Sequence, residues 1–495
     1  MADLILVWSE TVLDLADLLN DVRDPAYIVG GAVRDAILRR PIKDVDIATA
    51  GSGIVLAKKI ANRLKGDFYA LDTGRDVGRA LVESPEGKLI FDVAGFRAND
   101  LDADLRDRDF TINALAVHLT GDLQNVIDPT GGVKDLLNKT LRRCSPTSLW
   151  DDPIRVMRGV RQSVQFGFRI EPETLKDMRA NVSRVMETSP ERVRDELVRL
   201  LALSKPVSAL RIADAVGVLN VVLPELLKLH NLQQSPPHVY DAWNHTLSVV
   251  DHLNELFTTM SPSRTDQHTS QFAHGMMAAG FGRLRSPLQE HLSKTWADDR
   301  PHRALFLLAA LLHDVGKGVT PPASNGKRTI YPQHEEASAV IAEAKLTALH
   351  FSTAERERVT LVVRNHASEE VWTRSLTPVT IHRFWRRLGA AGVDVIFVTL
   401  ADYLGKVGTN LDQDRWLQTI ENAQTLLSAY YDEYTRYVEP PVLLNGNDLM
   451  QMLGLKPSPL IGDLLQFIRE AQVSGEVQTA DDALRLAREK LDRRV

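Results

Sequence analysis

Tyr27-Ile-Val-Gly-Gly-Ala-Val-Arg-Asp35 and, a few residues on, Asp44-Val-Asp-Ile-Ala48 carry more structural information than any other part of this chain. Tyr27-Ile-Val29 reads as a strand, Gly30-Gly31 as a tight turn, Ala32 to Arg40 as a helix and Asp44 to Ala48 as a second strand. Strand side chains alternate, so Asp44 and Asp46 project from one face. Two carboxylates so placed suit a pair of Mg²⁺ ions, which prefer oxygen ligands. Bare backbone N–H groups at Gly30 and Gly31 can approach phosphate groups. Arg34, in the first helical turn, can grip phosphate oxygens in a forked geometry. Taken singly, Asp-x-Asp is a common chance pattern, and a glycine turn beside a solvated arginine needs no function.

Outward from this segment, the chain to about Cys144 alternates short apolar strands with helical stretches. Leu81-Val82 and Leu89-Ile-Phe-Asp-Val93 flank the turn Pro85-Glu-Gly87 and form a plausible hairpin. From about Ser145 the strand signal nearly vanishes. Asp151 to Gln165, Glu173 to Met186 and Pro190 to Leu203 carry apolar residues at helical spacing, and Ser189-Pro190 has the form of a cap followed by a first-turn proline. Gln234-Ser-Pro-Pro237 marks a joint before a further helical block. Much of 258–300 is rich in Ser, Thr, His and Gly with weak periodicity and reads as a long loop or insertion. A last helical block follows Glu439-Pro-Pro441. The expected fold is therefore α+β, a mixed-sheet unit followed by all-α units.

At 495 residues the chain calls for two to four folding units. Its 44% hydrophobic and 25% charged residues are those of an ordinary globular protein. One cysteine, Cys144, excludes an intramolecular disulfide framework and fits a reducing, cytoplasmic compartment. The first residues lack a signal-peptide pattern, and the run Ala304 to Leu312 is too short to span a bilayer, so no membrane partner is expected. The formal net charge of −6 announces no nucleic acid, which leaves RNA contact to local basic faces.

Gly30-Gly-Ala-Val-Arg-Asp35 followed by Asp44-Val-Asp46 resembles the active-site signature of the class II tRNA nucleotidyltransferase and poly(A) polymerase family. Further motifs agree in order: Arg108-Asp-Phe-Thr-Ile-Asn-Ala114, Asp128-Pro-Thr-Gly-Gly-Val-Lys-Asp-Leu136, Asp151-Asp-Pro-Ile-Arg-Val-Met-Arg-Gly-Val-Arg161 and Glu191-Arg-Val-Arg-Asp-Glu-Leu197. The resemblance implies Mg²⁺ ligation and catalysis by Asp44 and Asp46, with triphosphate contacts from Gly30, Gly31, Arg34 and Arg108 and a role for Asn113 near the sugar. It also implies that Asp152 and Arg155 read the Watson–Crick edge of C or A. A carboxylate accepts from an exocyclic amine and a guanidinium donates to ring nitrogen or carbonyl oxygen. Arg158 and Arg161 continue at helical spacing toward phosphate or ribose, although a solvated basic face is the better reading for at least one. Asp107 stands where the family carries a cation, and Asp151 where it usually carries Glu. Asp92 reads equally as a third carboxylate or a surface acid.

Leu311-Leu-His-Asp-Val-Gly-Lys317 sets a second group of candidates. His245, His313-Asp314 and Asp402 resemble the core of the HD phosphohydrolase superfamily, with His334 and His366 completing a second metal position. Imidazole with carboxylate suits a transition metal or Mg²⁺ that activates water; the alternative is a decayed site kept for packing or RNA docking. The implied organisation is a nucleotidyltransferase head over 1–144, a helical neck for base and RNA binding over 145–232, an HD domain over 233–436 and a helical tail over 437–495, with Gly454-Leu-Lys-Pro457 as a turn between tail helices.

The implied function is template-independent addition of C and A to tRNA or other RNA 3′ ends from CTP and ATP by two-metal catalysis. Alternatives are poly(A) polymerisation, partial CC- or A-addition, or an HD phosphohydrolase whose head only binds nucleotide. The oligomeric state is not legible.

Overall fold

A computed structural model describes residues 5–85, 87–96, 100–260, 272–326, 328–373 and 375–492. The chain divides into two compact units, one from Met1–Glu196 with Arg211–Val222, the other from Leu197–Leu210 with Leu223–Val495. The first is built on a six-stranded sheet of β1 (Ala26–Val29), β2 (Asp44–Thr49), β3 (Asp67–Asp72), β4 (Val77–Ser84), β5 (Gly87–Gly95) and β6 (Ala116–His118), in the order β3-β4-β5-β2-β1-β6. β2 and β5 run parallel and the other neighbours antiparallel. Val45 and Ile47 of β2 are buried while Asp44 and Asp46 are exposed, the alternation expected of a half-buried strand. The expected hairpin is present as β4 and β5; Glu86 at its tip lies outside the described residues.

The turn after β1 is shaped by Gly30, whose φ of 74° is open to glycine at little cost. It leads into the Gly31–Ile37 helix, shorter than the expected 32–40 because Arg39 takes a left-handed φ of 54°. The Gly53–Leu64 helix covers the sheet. Its N-terminus is satisfied by Ser52 and by Asp76, whose carboxylate accepts from the Gly53 and Ile54 N–H groups.

The helix expected over 151–165 begins only at Arg155 and runs to Phe166, with a separate short helix, Ser148–Asp151, before it. Asp152 precedes Pro153 and is extended (φ −140°, ψ 94°), as the proline ring demands of its predecessor. Asp152 therefore sits in a corner. The next two helical stretches are found as Pro172–Asn181 with a 3₁₀ turn through Glu187, and Pro190–Leu201. Two strands too short to be read from sequence, Thr140–Leu141 and Arg169–Ile170, pair in parallel beside them.

In the second unit, the Ala242–Met260, His302–Leu312, Thr353–Arg364 and Ala391–Val407 helices form a helical core. Almost every residue of Ala391–Val407 is buried. A two-stranded hairpin, Ala323–Asn325 with Arg328–Ile330, interrupts the helices. The reading of 258–300 as mainly loop is corrected: residues 261–271 lie outside the described residues, but Phe272–Gly280 and Arg285–Leu292 are helices. Small and polar residues hid them, since only Ala273, His274, Met277, Leu288 and His291 supply their buried faces. The tail encloses its own core around Leu449, Leu464 and Ile468, and Gly454 ends one of its helices at φ 64°. Among the described residues no single helix is long and apolar enough to cross a membrane.

Gly132 opens the short Gly132–Leu137 helix under the Thr111–Asn113 turn, and a Cβ there would collide with the Thr111 carbonyl. Gly132→Ala should lower the stability of the first unit by about 1–3 kcal/mol, the usual cost of overpacking. The drop is to be read from the denaturant midpoint of its unfolding transition.

Candidate active sites

The register between β2 and β5 places Asp92 directly beside Asp46. Asp92 is gripped by Arg79 through two hydrogen bonds of 2.7 and 2.8 Å, so its charge is paired with a cation. Asp44 and Asp46 share the exposed face of β2. The donor set there is oxygen only, which fits Mg²⁺. Beside them, Arg108 lies over the Gly30 turn, where a Cβ would meet its Nη1 at 2.7 Å and the Asp46 carboxylate at 3.7 Å. Asp104 holds Arg108 at 3.1 Å.

A cleft of about 470 Å³ opens here, within the roughly 300–1,000 Å³ usual for small-molecule sites. Its wall contains Asp46 together with Gly30, Gly31, Arg34, Arg108, Asn113, Asp152, Arg155, Arg158 and Arg161, every residue expected to bind nucleotide. Asp44 is on the same strand face but outside this cleft wall.

The side chains are not all poised alike. Arg34 donates to Asn113 Oδ1 and to Asp35, and its guanidinium lies 4.4 Å from the Phe166 ring centroid. Asn113 is fully engaged, accepting from Arg34 and donating to Asp109 and Gln162. Arg155 points its guanidinium at the Asp107, Arg108 and Ser148 carbonyls. Asp152 receives two bonds of 3.0 and 2.8 Å from Arg192. Arg158 is bound to Asp109 at 2.7 Å, and Arg161 to Glu196 at 2.7 Å. Neither is the solvated arginine anticipated for one of them.

Asp109 is the anchor. It is buried, yet its carboxyl is lowered to about 2: burial raises it, and the Arg158 charge with bonds from Asn113, Arg158 and the Phe110 N–H outweighs burial. Sequence reasoning missed Asp109, Gln162, Gln165, Phe166 and Arg192, all of which line the cleft. Helical spacing could have found two of them, because Arg158, Gln162 and Phe166 fall four apart on one stripe. Arg192 lay inside a quoted motif.

In the second unit all the expected HD residues meet. His245 Nε2 is 3.0 Å from Asp402 Oδ1 and 3.5 Å from Asp314 Oδ2, and His313 Nε2 is 3.2 Å from Asp314 Oδ2. On the other carboxylate oxygen of Asp314, His334 Nε2 lies at 3.1 Å and His366 Nε2 at 3.7 Å. Ligands held at about 2.1 Å by one ion sit roughly 3–3.5 Å apart, so the spacing fits a metal. The Nδ1 atoms of His313, His334 and His366 lie 2.7–2.8 Å from the Ala310, Tyr331 and Val363 carbonyls, which turns each Nε2 lone pair inward. Burial lowers His366 to about 3 and keeps it neutral, as a ligand must be. Two lysines that the sequence reading did not assign attend the cluster. Lys317 reaches Asp314 at 2.6 Å, and Lys406 reaches Asp402.

Residues 26–142 match the poly A polymerase head domain, 167–229 the probable RNA and SrmB-binding site of polymerase A, 286–406 the HD domain and 414–487 a putative second domain of tRNA nucleotidyltransferase. A CC-adding tRNA nucleotidyltransferase of Thermus thermophilus is 30% identical, covering 92% of each chain. An A-adding tRNA nucleotidyltransferase of Deinococcus radiodurans is 28% identical over 92% of this chain and 94% of its own. A solved CCA-adding enzyme with CTP shares the fold at TM-score 0.61 and 18% identity, covering 98% of this chain and 96% of that one.

Removing one partner of a buried ion pair costs about 3–5 kcal/mol. Asp109→Ala should therefore destabilise the first unit by that order at neutral pH. The native carboxyl is depressed, so the Asp109 contribution is whole above its ordinary value of 3.8 and lost as pH falls through about 2. Denaturant titrations of wild type and variant should show stability curves that converge only at the acid end.

Proposed function

The chain belongs to the tRNA nucleotidyltransferase family, and from that membership we propose that it adds C and A to tRNA 3′ ends, using CTP and ATP and releasing pyrophosphate. One observation carries the reading: a single cleft joins Asp46 to the whole set of glycine, arginine, asparagine and aspartate side chains suited to a nucleoside triphosphate. Asp44 and Asp46 would hold Mg²⁺, which supplies charge to activate the 3′-hydroxyl and to stabilise the departing pyrophosphate. Gly30, Gly31, Arg34 and Arg108 receive the triphosphate. Asp152 faces the base, where its carboxylate accepts from the amine of C or A and is oriented by Arg192, while Arg155, bound to the Asp107, Arg108 and Ser148 carbonyls, fastens the corner beside it. Asn113, Arg158 and Arg161 act through their partners, keeping the cleft wall in shape.

Relatives of nearly equal identity add CC or A alone, so a partial reaction is the nearest alternative; poly(A) polymerisation is more distant. Purified protein given tRNA lacking its CCA end should incorporate from CTP and ATP together, and the products with each alone separate full from partial addition. Asp44→Ala and Asp46→Ala should each cut incorporation at least about a thousandfold, some 4 kcal/mol of barrier, with the circular dichroism spectrum unchanged because both residues are exposed.

The assembled His245, His313, Asp314 and Asp402 cluster supports a second activity, metal-dependent hydrolysis of phosphate esters, with His334 and His366 completing a second ion's ligands. The ion would be a transition metal or Mg²⁺. His313→Ala should abolish 2′,3′-cyclic phosphate hydrolysis and spare nucleotide incorporation. Wild-type protein inert toward such esters with Mn²⁺, Ni²⁺ and Co²⁺ would retire this activity, and hydrolysis without any incorporation would instead leave the head a nucleotide-binding module. We also propose the division at 144, 232 and 436, with base and RNA binding in the second part and RNA docking in the tail. A cytoplasmic location is in keeping with the single cysteine.

A further inference from the structure

We propose that His252, Glu255 and His274 form a separate binding site for one divalent transition-metal ion of the Zn²⁺ class. His252 and Glu255 stand one turn apart on the Ala242–Met260 helix, and His274 is carried by the Phe272–Gly280 helix packed against it. His274 Nε2 is 3.2 Å and His252 Nδ1 4.0 Å from the same oxygen, Glu255 Oε2. The three atoms lie within 4.8 Å of one another. An ion bound at about 2.0–2.2 Å needs its ligands roughly 3–3.6 Å apart, so a small side-chain rotation closes the triad.

What marks the place is the absence of any other satisfaction among the described residues. His252 Nδ1, Glu255 Oε2 and His274 Nε2 are all buried, and among the described residues none has a hydrogen-bond partner. The 3.2 Å approach of His274 to Glu255 is misdirected for one. Proteins rarely bury even one such group unpaired, and three converging on a point call for a common partner. Burial holds both imidazoles neutral, each with a lone pair to give. The Glu255 side chain remains 39% exposed, leaving a fourth position to water. Two histidines with one glutamate and an open position is a donor set that suits Zn²⁺.

A neighbouring cluster shows what a satisfied one looks like. His291 and His302 both reach Asp394, at 2.7 and 3.1 Å, and Arg358 closes on its other oxygen at 2.7 Å. Trp296 donates to His302 Nδ1, so His302 Nε2 carries the proton shared with Asp394 and has no lone pair for an ion. The His252 triad has no such internal answer. It lies seven residues along the helix from His245, about 10 Å by the helical rise, and so is distinct from the HD cluster. An ion there would tie the Phe272–Gly280 helix to the Ala242–Met260 helix.

Metal-free full-length protein is to be dialysed to equilibrium against Zn²⁺ and its metal content measured. Glu255→Gln and His274→Gln should each bind one equivalent less than wild type, whereas His313→Ala should retain that equivalent. Zn²⁺ should also raise the melting temperature of His313→Ala by more than that of the double variant His313→Ala/Glu255→Gln. Because Glu255 is partly exposed, its glutamine variant keeps the fold. Wild-type metal content in Glu255→Gln and His274→Gln, or no Zn²⁺ bound by the wild type, overturns the assignment.

Discussion

The nucleotide cleft is constrained first by repulsion. Arg34, Arg108, Arg155, Arg158, Arg161 and Arg192 all line one cavity of about 470 Å³, and like charges that close cannot be left to themselves. The structure answers with fixed counter-charges: Asp104 under Arg108, Asp109 under Arg158, Glu196 under Arg161 and Asp152 against Arg192. Asp104, Asp109 and Glu196 are buried, so each holds its arginine in a geometry that water would not specify. The guanidinium groups are thus arranged before any triphosphate arrives, and little reorganisation is left to the ligand. The formal charge of −6 on the whole chain is silent about this place. Fields act locally where arginines are gathered and their counter-ions stand behind them.

That balance gives Asp109 and Asn113 a role different from contact. Asn113 joins Arg34, Asp109 and Gln162 in one hydrogen-bonded chain, linking the helix after the glycine turn to the Arg155–Phe166 helix. Both ends of the cleft are therefore held by a residue from the short Thr111–Asn113 turn. A change in that turn acts at two walls at once. The same logic explains why Arg155, read from sequence as facing the base, spends its donors on the Asp107, Arg108 and Ser148 carbonyls. It fastens the corner in which Asp152 sits.

Much of this was legible beforehand because it rests on short-range rules. Alternation on β2 placed Asp44 and Asp46 together, and the motifs along 30–197 named most of the cleft wall. What escaped was set by long-range pairing. Asp92, left open between a third carboxylate and a surface acid, becomes Asp46's neighbour only through the parallel register of β2 with β5, which no local pattern announces. Arg192 meets Asp152 across forty residues. The helix over 151–165 failed at Pro153, where a rule about the residue before proline was available and outweighed by apolar spacing. The helices within 272–292 failed for the opposite reason: their buried faces are made of one alanine, two histidines, one methionine and one leucine, too weak a stripe to register against serine and glycine.

The two assigned metal-ligand groups solve one electrostatic problem in opposite ways. On β2 the carboxylates are exposed, so water and mobile ions screen their repulsion. In the helical unit His245, His313, Asp314 and Asp402 are buried, where unpaired carboxylates would be costly. Lys317 and Lys406 meet that cost by closing on Asp314 and Asp402, each from the same helical stretch as the acid it serves. Each aspartate keeps its other oxygen toward a histidine: His334 for Asp314, His245 for Asp402. Lys406 thus takes one oxygen of Asp402 and leaves the other to His245, whereas Lys317 shares Asp314 Oδ2 with His245 and His313 while Oδ1 faces His334. Replacing a buried ion pair by apolar side chains of similar volume is often neutral or stabilising, so packing alone gives no reason for this many charges to be gathered here.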